Sequence, residues 1–173
     1  MTVLETERLS LRKFTVDDAE FILTLLNEPA FRRYIGDKKV RNLEDACQYI
    51  LTGPVASYER YGFGLLLVEL KESHTPVGMC GLLKREQLPD PDIGFALLSD
   101  FWNKGFAFEA ASSVLQDAVQ RLKLERIVAI TSLDNDASIG LLQRLGFSFE
   151  KIVQMSPEGE QLKLFASESL AAD

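Results

Sequence analysis

The chain has 173 residues, of which 46% are hydrophobic and 26% are charged, as is ordinary for one globular domain with a full core. Its formal net charge of −7 argues against sequence-independent nucleic-acid binding, which needs Lys and Arg to neutralise phosphates, and it favours cationic substrates such as amines. No segment reaches the roughly 18 apolar residues of a membrane-spanning helix, so no membrane partner is expected.

The first residues, "MTVLETERLSLRKF", lack a basic start followed by an apolar segment, so no signal peptide is expected. Cys47 and Cys80 are far apart, and neither belongs to a Cys-x-x-Cys pair. The simplest interpretation is a reduced, cytoplasmic protein. The sequence contains no repeat or linker, which predicts a single domain over residues 1–173. No His/Cys cluster has zinc spacing, so no metal is expected.

Apolar periodicity in the first half predicts a strand, two helical regions and three further strands. "ERLSLRKF" alternates like a strand, and Thr15 then resembles a helix N-cap whose helical pattern ends before Pro29. A second helical region begins near Asn42, is interrupted at "TGP" and resumes toward Tyr61. The following segments have the spacing of an antiparallel meander: "FGLLLVEL", "PVGMCGLLKRE" and "DIGFALL".

The second half alternates helices and strands. Small and apolar residues from Ala107 to Leu122 recur at helical spacing, and Gly146 closes a second, shorter helix, "ASIGLLQRLG". Strands are predicted at "RIVAITS", "FSFEKIVQM" and "QLKLFAS". Strand–helix–strand order implies some parallel pairing. The predicted fold class is therefore α/β (α+β), with a mixed, mostly antiparallel central sheet and helices on both faces.

The segment "WNKGFAFEA" can bind an anion. The first backbone N–H groups of a helix have no partner within it, and the helix dipole attracts negative charge to them. Gly105 lets a phosphate approach these amides, Ala107 is a second small residue two positions later, and Lys104 adds positive charge. A plain strand-to-helix loop with one glycine is the simpler alternative. The patterns G-x-x-x-x-G-K-[ST] and G-x-G-x-x-G are absent, which disfavours a nucleotide-binding α/β domain.

Four segments in this order, "TERLSLRKFTVDDAE", "PVGMCGL", "DIGFALLSDFWNKGFAFEA" and "RIVAITSLDNDASIGLLQRLGF", give the chain a family resemblance. It resembles the GCN5-related N-acetyltransferase (GNAT) superfamily over roughly residues 5 to 165. Within that superfamily it is similar to the ribosomal-protein N-terminal acetyltransferases. The resemblance implies the acyl-CoA N-acyltransferase fold and transfer of an acetyl group from acetyl-CoA to an amine.

The resemblance also implies a set of coenzyme-binding residues. Gly105 and Ala107 match the small positions of the family loop [Q/R]-x-x-G-x-[G/A], and Trp102 stands where Gln or Arg is frequent. "LDNDAS" matches D-N-x-x-S, although an N-cap role alone is equally expected of Asn135. The implied acetyl-CoA site comprises Phe95, Ala96, Leu97 and Leu98 along the pantetheine, Trp102, Asn103, Lys104, Gly105, Phe106 and Ala107 at the phosphates, and Asn135 and Ser138.

Amine acetylation needs a base to deprotonate the ammonium and a donor for the carbonyl oxygen. Asp92 is the first candidate base, acting directly or through water, with a turn residue as the alternative, and Glu86 is the second. A backbone N–H near Leu97 is the expected donor. Ser138 is the implied acid for the leaving thiolate, because Leu142 stands where many relatives have Tyr. The implied amine pocket contains Phe31, Arg33 and Tyr34.

Two functions remain open at this point. One is an N-acetyltransferase acting on a protein N-terminus or a small amine through a ternary complex. The other is a non-catalytic CoA-binding regulator or sensor of the same fold, which the Leu142 position keeps open. His74 lies in the turn "KESHTP", away from the other motifs, so a Ser–His triad is not expected. Both a monomer and a homodimer are compatible with the sequence.

Overall fold

The computed structural model describes residues 2–168. The strands are β1 (Thr2–Glu5), β2 (Leu9–Lys13), β3 (Leu65–Leu70), β4 (Pro76–Leu83), β5 (Asp92–Leu97), β6 (Arg126–Ser132), β7 (Ser148–Gln154) and β8 (Gln161–Glu168). The α-helices are α1 (Ala19–Leu26), α2 (Pro29–Tyr34), α3 (Leu43–Ile50), α4 (Ala56–Tyr61), α5 (Phe106–Gln120) and α6 (Asp136–Arg144).

All the strands belong to one sheet, in the order β1-β2-β3-β4-β5-β6-β8-β7. Neighbouring strands are antiparallel except β5 and β6, which are parallel and are connected through α5. The fold class is therefore as predicted, including the parallel pair in the second half. The sequence pattern did not indicate that β8 would insert between β6 and β7, because period-2 alternation marks a strand without naming its neighbour.

Helices cover both faces of the sheet because side chains alternate along each strand. On β3, Leu66 and Val68 pack in a core that includes the buried face of α5. Leu65 and Leu67 point the other way, into a core with the buried residues of α1, α2 and α3. We call these the α5 face and the α1–α3 face.

Three local features differ from the predictions. β1 pairs with β2 at the edge of the sheet but was not predicted. Pro29 not only follows α1 but also occupies the first turn of α2, where its missing N–H costs nothing. The predicted interruption at "TGP" is a π-helical stretch, Leu51–Val55, that joins α3 to α4 and buries Pro54.

A charged network joins β2, the start of α1 and β3. Thr15 caps a 3-10 turn that leads into α1, as predicted, and Asp18 accepts from the Thr15 backbone N–H at 2.9 Å. Both oxygens of Asp18 also accept from Arg12, at 2.8 and 2.9 Å, and Arg12 Nε lies 3.4 Å from Glu69. Burial alone would raise the pKa of Asp18, but the bonds from Arg12 and Thr15 outweigh it and lower that pKa.

We expect Asp18→Asn to lower the free energy of unfolding at pH 7 by about 3 kcal/mol, because it breaks a buried ion pair. The contribution of Asp18 is complete above about pH 5 and is lost as the pH falls through its lowered pKa, so variant and parent converge in acid. Urea unfolding at several pH values measures this. Asp37→Asn, which breaks the exposed pair with Arg41, is the control and leaves the midpoint near that of the parent. A difference that persists unchanged at low pH contradicts the assignment.

Candidate active site

The sheet opens between β5 and β6. The two strands are in register at Asp92 and Val128, where Val128 N–H donates to Pro91 O at 3.0 Å. Within residues 2–168 their ladder extends no further, whereas β4 stays paired with β5 as far as Leu97. One edge of β5 beyond Asp92 is therefore available to a ligand.

The backbone of Leu97 faces this opening. Leu97 lies opposite Gly78, and the next residue, Leu98, donates its N–H to Val77 O at 2.9 Å. In an antiparallel ladder this pattern directs the N–H and C=O of Leu97 away from β4. The Leu97 carbonyl accepts from Trp102 Nε1 at 2.9 Å, so the indole ties the following loop to the strand.

Residues 102–105 form an exposed loop that delivers the N-terminus of α5. Asn103 and Gly105 both have a left-handed backbone, with φ of 61° and 82°. Gly105 is the N-cap of α5, and no side chain caps the first turn there. The leading amides of α5 are therefore left for another acceptor, which fits the binding of an anion at a helix start.

Arg8, which was not predicted as a site residue, supports this loop from the turn between β1 and β2. Its Nε lies 2.8 Å from Glu109 Oε1, its Nη1 donates to Lys104 O at 2.9 Å, and its guanidinium stacks 4.3 Å from the Phe106 ring centroid. Glu109 also accepts from the Arg8 backbone N–H and from the Thr6 hydroxyl. Arg8 thus fixes the loop backbone and adds positive charge beside it. The only sequence signal was its position in the "TERL" segment.

The far side of the opening is formed by the end of β6 and the start of α6. Asn135 Oδ1 accepts from Ser138 N–H at 3.3 Å, so this amide is the N-cap of α6. The Ser138 side chain is half-buried. At the end of β6 the buried hydroxyls of Thr131 and Ser132 have no hydrogen-bond partner among the described residues. Such hydroxyls commonly find a ligand or water.

The two candidate bases occupy different environments. Asp92 is 1% exposed, and Arg85 Nε lies 3.1 and 3.2 Å from its two carboxylate oxygens. Burial raises the pKa of Asp92, and the charge of Arg85 opposes the rise. Glu86 was predicted to lie at the end of the strand neighbouring β5. β4 instead ends at Leu83, and Glu86 is exposed in the loop that follows.

The predicted amine-pocket residues on α2 divide into core and surface. Phe31 is 5% exposed and packs in the core of the α1–α3 face. Arg33 stacks 5.0 Å from the ring of half-buried Tyr34 and pairs with Asp134 at 3.3 Å, which links α2 to the loop before α6. Leu142 is fully buried in the core of the α5 face, and His74 contacts Glu69 at 3.2 Å in the turn between β3 and β4.

Comparison with known proteins decides the family. The family model for the acetyltransferase (GNAT) domain matches residues 8–148. The chain belongs to the GNAT acetyltransferase family. It is 32% identical over 154 residues to the uncharacterised N-acetyltransferase YoaA of Bacillus subtilis, covering 88% of this chain and 86% of that protein. This relationship confirms the predicted resemblance and makes the protein an acetyl-CoA-dependent acetyltransferase.

Solved GNAT structures share the fold. RimL, a ribosomal L7/L12 alpha-N-protein acetyltransferase in complex with coenzyme A, superposes with a TM-score of 0.85 at 16% identity, covering 99% of both chains. An acetyltransferase from Agrobacterium tumefaciens gives a TM-score of 0.83 at 22% identity, covering 97% of this chain and 95% of its own. Among the described residues no helix could cross a membrane, and no group of three or more His, Cys, Asp or Glu is placed to bind a metal.

We expect Gly105→Glu to weaken acetyl-CoA binding at least tenfold, measured by isothermal titration calorimetry. A side chain at this position begins 3.2 Å from Arg8 Nη2 at a φ of 82°, so the carboxylate is attracted to the space in front of the α5 amides. The matched control is Gly62→Glu, whose φ is 79° and whose side chain enters open space elsewhere. Unchanged affinity in a folded Gly105→Glu protein would mean that the diphosphate binds elsewhere.

Proposed function

We propose that the protein transfers the acetyl group of acetyl-CoA to a primary amine, on a protein N-terminus or a small molecule, by direct attack in a ternary complex. The observation that carries this proposal is the opening between β5 and β6, which has the uncapped start of α5 at its mouth. The proposal treats residues 1–173 as one acetyltransferase domain that acts in the cytoplasm without a metal.

Acetyl-CoA fits the residues around this opening. The loop from Trp102 to Ala107 offers backbone N–H groups to the diphosphate, and Arg8 keeps its backbone in place. The strand from Phe95 to Leu98 offers its free edge to the pantetheine amides, as an added strand would pair. Asn135 and Ser138 lie on the other side of the opening. RimL, solved with coenzyme A, and the acetyltransferase MccE, solved with acetyl-CoA and AMP, share the fold and support binding of this coenzyme.

The reaction forms a C–N bond and breaks a C–S bond. The amine gives up one proton before or during attack, and the carbonyl oxygen gains negative charge that a backbone N–H near Leu97 stabilises. The tetrahedral carbon then expels the thiolate, which takes a proton from Ser138 or from water. Asp92 lies about 16 Å from Leu97 along β5, so we propose that it acts as the base through a chain of water molecules in the opening. Its raised pKa suits this role, because it lies closer to neutrality than that of an exposed carboxylate.

Asp92→Asn tests the base. We expect the variant to lose at least 100-fold in kcat and to lose the acidic limb of the rate profile, since the parent works only when the Asp92 carboxylate is ionised. Steady-state rates from pH 5 to 9 measure this. Glu86→Gln, in the exposed loop, is the comparison variant and keeps the parental profile. If the Asp92→Asn rates equal those of the parent at every pH, Asp92 is not the base.

The transfer itself is tested with a panel of amines that includes peptides beginning with Ser or Ala and small primary amines. We expect at least one amine of the panel to cause release of free CoA. Mass spectrometry then identifies the acetylated product. Tight acetyl-CoA binding with no release of CoA above the solvent rate for any amine would favour the non-catalytic regulator.

A further inference from the structure

Arg85 presents unused hydrogen-bond donors on the α1–α3 face. Its Nε is bound by Asp92, whose side chain shares a face of β5 with Ala96 and Leu98, and these two pack against the core of that face. The terminal nitrogens of Arg85 have no hydrogen-bond or ion-pair partner among the described residues, and 32% of the side chain is exposed. Asp92 therefore holds the guanidinium by one edge and leaves its other donors for a ligand.

A second cation belongs to the same region. Lys38 comes from the loop between α2 and α3, and its ammonium has no hydrogen-bond or ion-pair partner among the described residues. The Lys38 side chain is exposed at the surface, yet partial desolvation lowers its pKa, and the positive charge of Arg85 adds to the effect. Tyr49 on α3 also lies within the field of Arg85, although burial dominates there and raises the pKa of Tyr49 to about 12.

Lys84, the next charged residue beside Arg85, already has hydrogen-bond partners. Lys84 donates to Arg85 O at 3.0 Å and to Leu88 O at 2.6 Å, so its ammonium closes the loop after β4. Arg85 and Lys38 thus lie near each other with Asp92 as the buried counter-charge. An anion from outside would relieve their mutual repulsion, and a carboxylate matches the paired terminal donors of a guanidinium.

The site lies at the end of the opening where β5 and β6 are still paired, and the proposed position of the acetyl group is farther along β5. Asp92 marks the position at which β5 and β6 separate, and α5 with its phosphate-binding loop lies on the opposite face. Asp92 and Leu97 are five positions apart on one strand, which corresponds to about 16 Å. A carboxylate on Arg85 and an amine near Leu97 therefore belong to a molecule longer than one amino acid.

We propose that Arg85, anchored by Asp92 and assisted by Lys38, binds a carboxylate of the acceptor, and that the acceptor is a peptide N-terminus with an acidic residue at its second or third position. This inference rests on the proposed acetyl transfer and adds the acceptor class. It reverses the expectation from net charge, because the local pair of cations, and not the total of −7, faces the acceptor.

Two amidated tripeptides, Ser-Asp-Glu and Ser-Asn-Gln, differ only in charge and form the main probe. We expect the parent to acetylate the acidic peptide with at least tenfold higher kcat/KM, mostly through KM. Arg85→Gln brings the two values together, and Lys38→Gln reduces the preference severalfold. Lys39→Gln removes an equal charge from the adjacent position, which is exposed as Lys38 is, and keeps the preference.

Isothermal titration calorimetry of each peptide with the CoA-loaded protein tests the acidic preference without turnover. Lys38→Gln and an Arg85→Gln/Asp92→Asn double variant cover the case in which Arg85→Gln alone fails to fold around an unpaired Asp92. Equal affinity of the parent for the two peptides overturns the inference, while acetylation of both leaves the transfer activity intact. If the protein acetylates free serine better than serinamide but does not distinguish the two tripeptides, the peptide assignment is wrong. The carboxylate that Arg85 binds would then be the one next to the reacting amine.

Discussion

Among residues 2–168, β5 and β6 pair in register only at Asp92 and Val128, and this short ladder is the constraint on which the architecture depends. β4 holds β5 along its length, and β8 holds β6 along its length, so each strand keeps a full ladder on its far side. The pair can therefore separate without unravelling the sheet. A continuous sheet has two sealed faces, whereas this one connects them through its middle.

That connection gives the two faces different chemistry. On the α5 face, the loop at residues 102–105 presents backbone amides suited to phosphate. Arg8 fixes this loop through the Lys104 carbonyl, and Glu109 pairs with the Arg8 guanidinium. On the α1–α3 face, Asp92 is buried with Arg85 beside Lys38. The proposed coenzyme and amine sites thus lie on opposite faces of the sheet, and only the reacting atoms need to meet.

The strands and helices were largely readable from the sequence because alternation and helical spacing are local. Thr15, Asn42 and Gly146 mark helix ends as predicted, since caps depend on a few neighbouring residues. Arg8 and Arg85 were not found, because their partners lie far along the chain or depend on a particular loop path. The loop from Trp102 to Ala107 was predicted to bind phosphate through a family resemblance. Local chemistry alone left a plain turn as the simpler interpretation.

The link from Thr6 and Arg8 to Glu109 has a practical side. The turn between β1 and β2 also anchors the loop at residues 102–105, so the amino-terminal edge of the sheet is coupled to the proposed coenzyme site. We expect an affinity tag or fusion partner joined ahead of β1 to disturb these anchoring contacts. The opposite edge, at β7, has no such tie to the loop among residues 2–168 and is the safer place for a label.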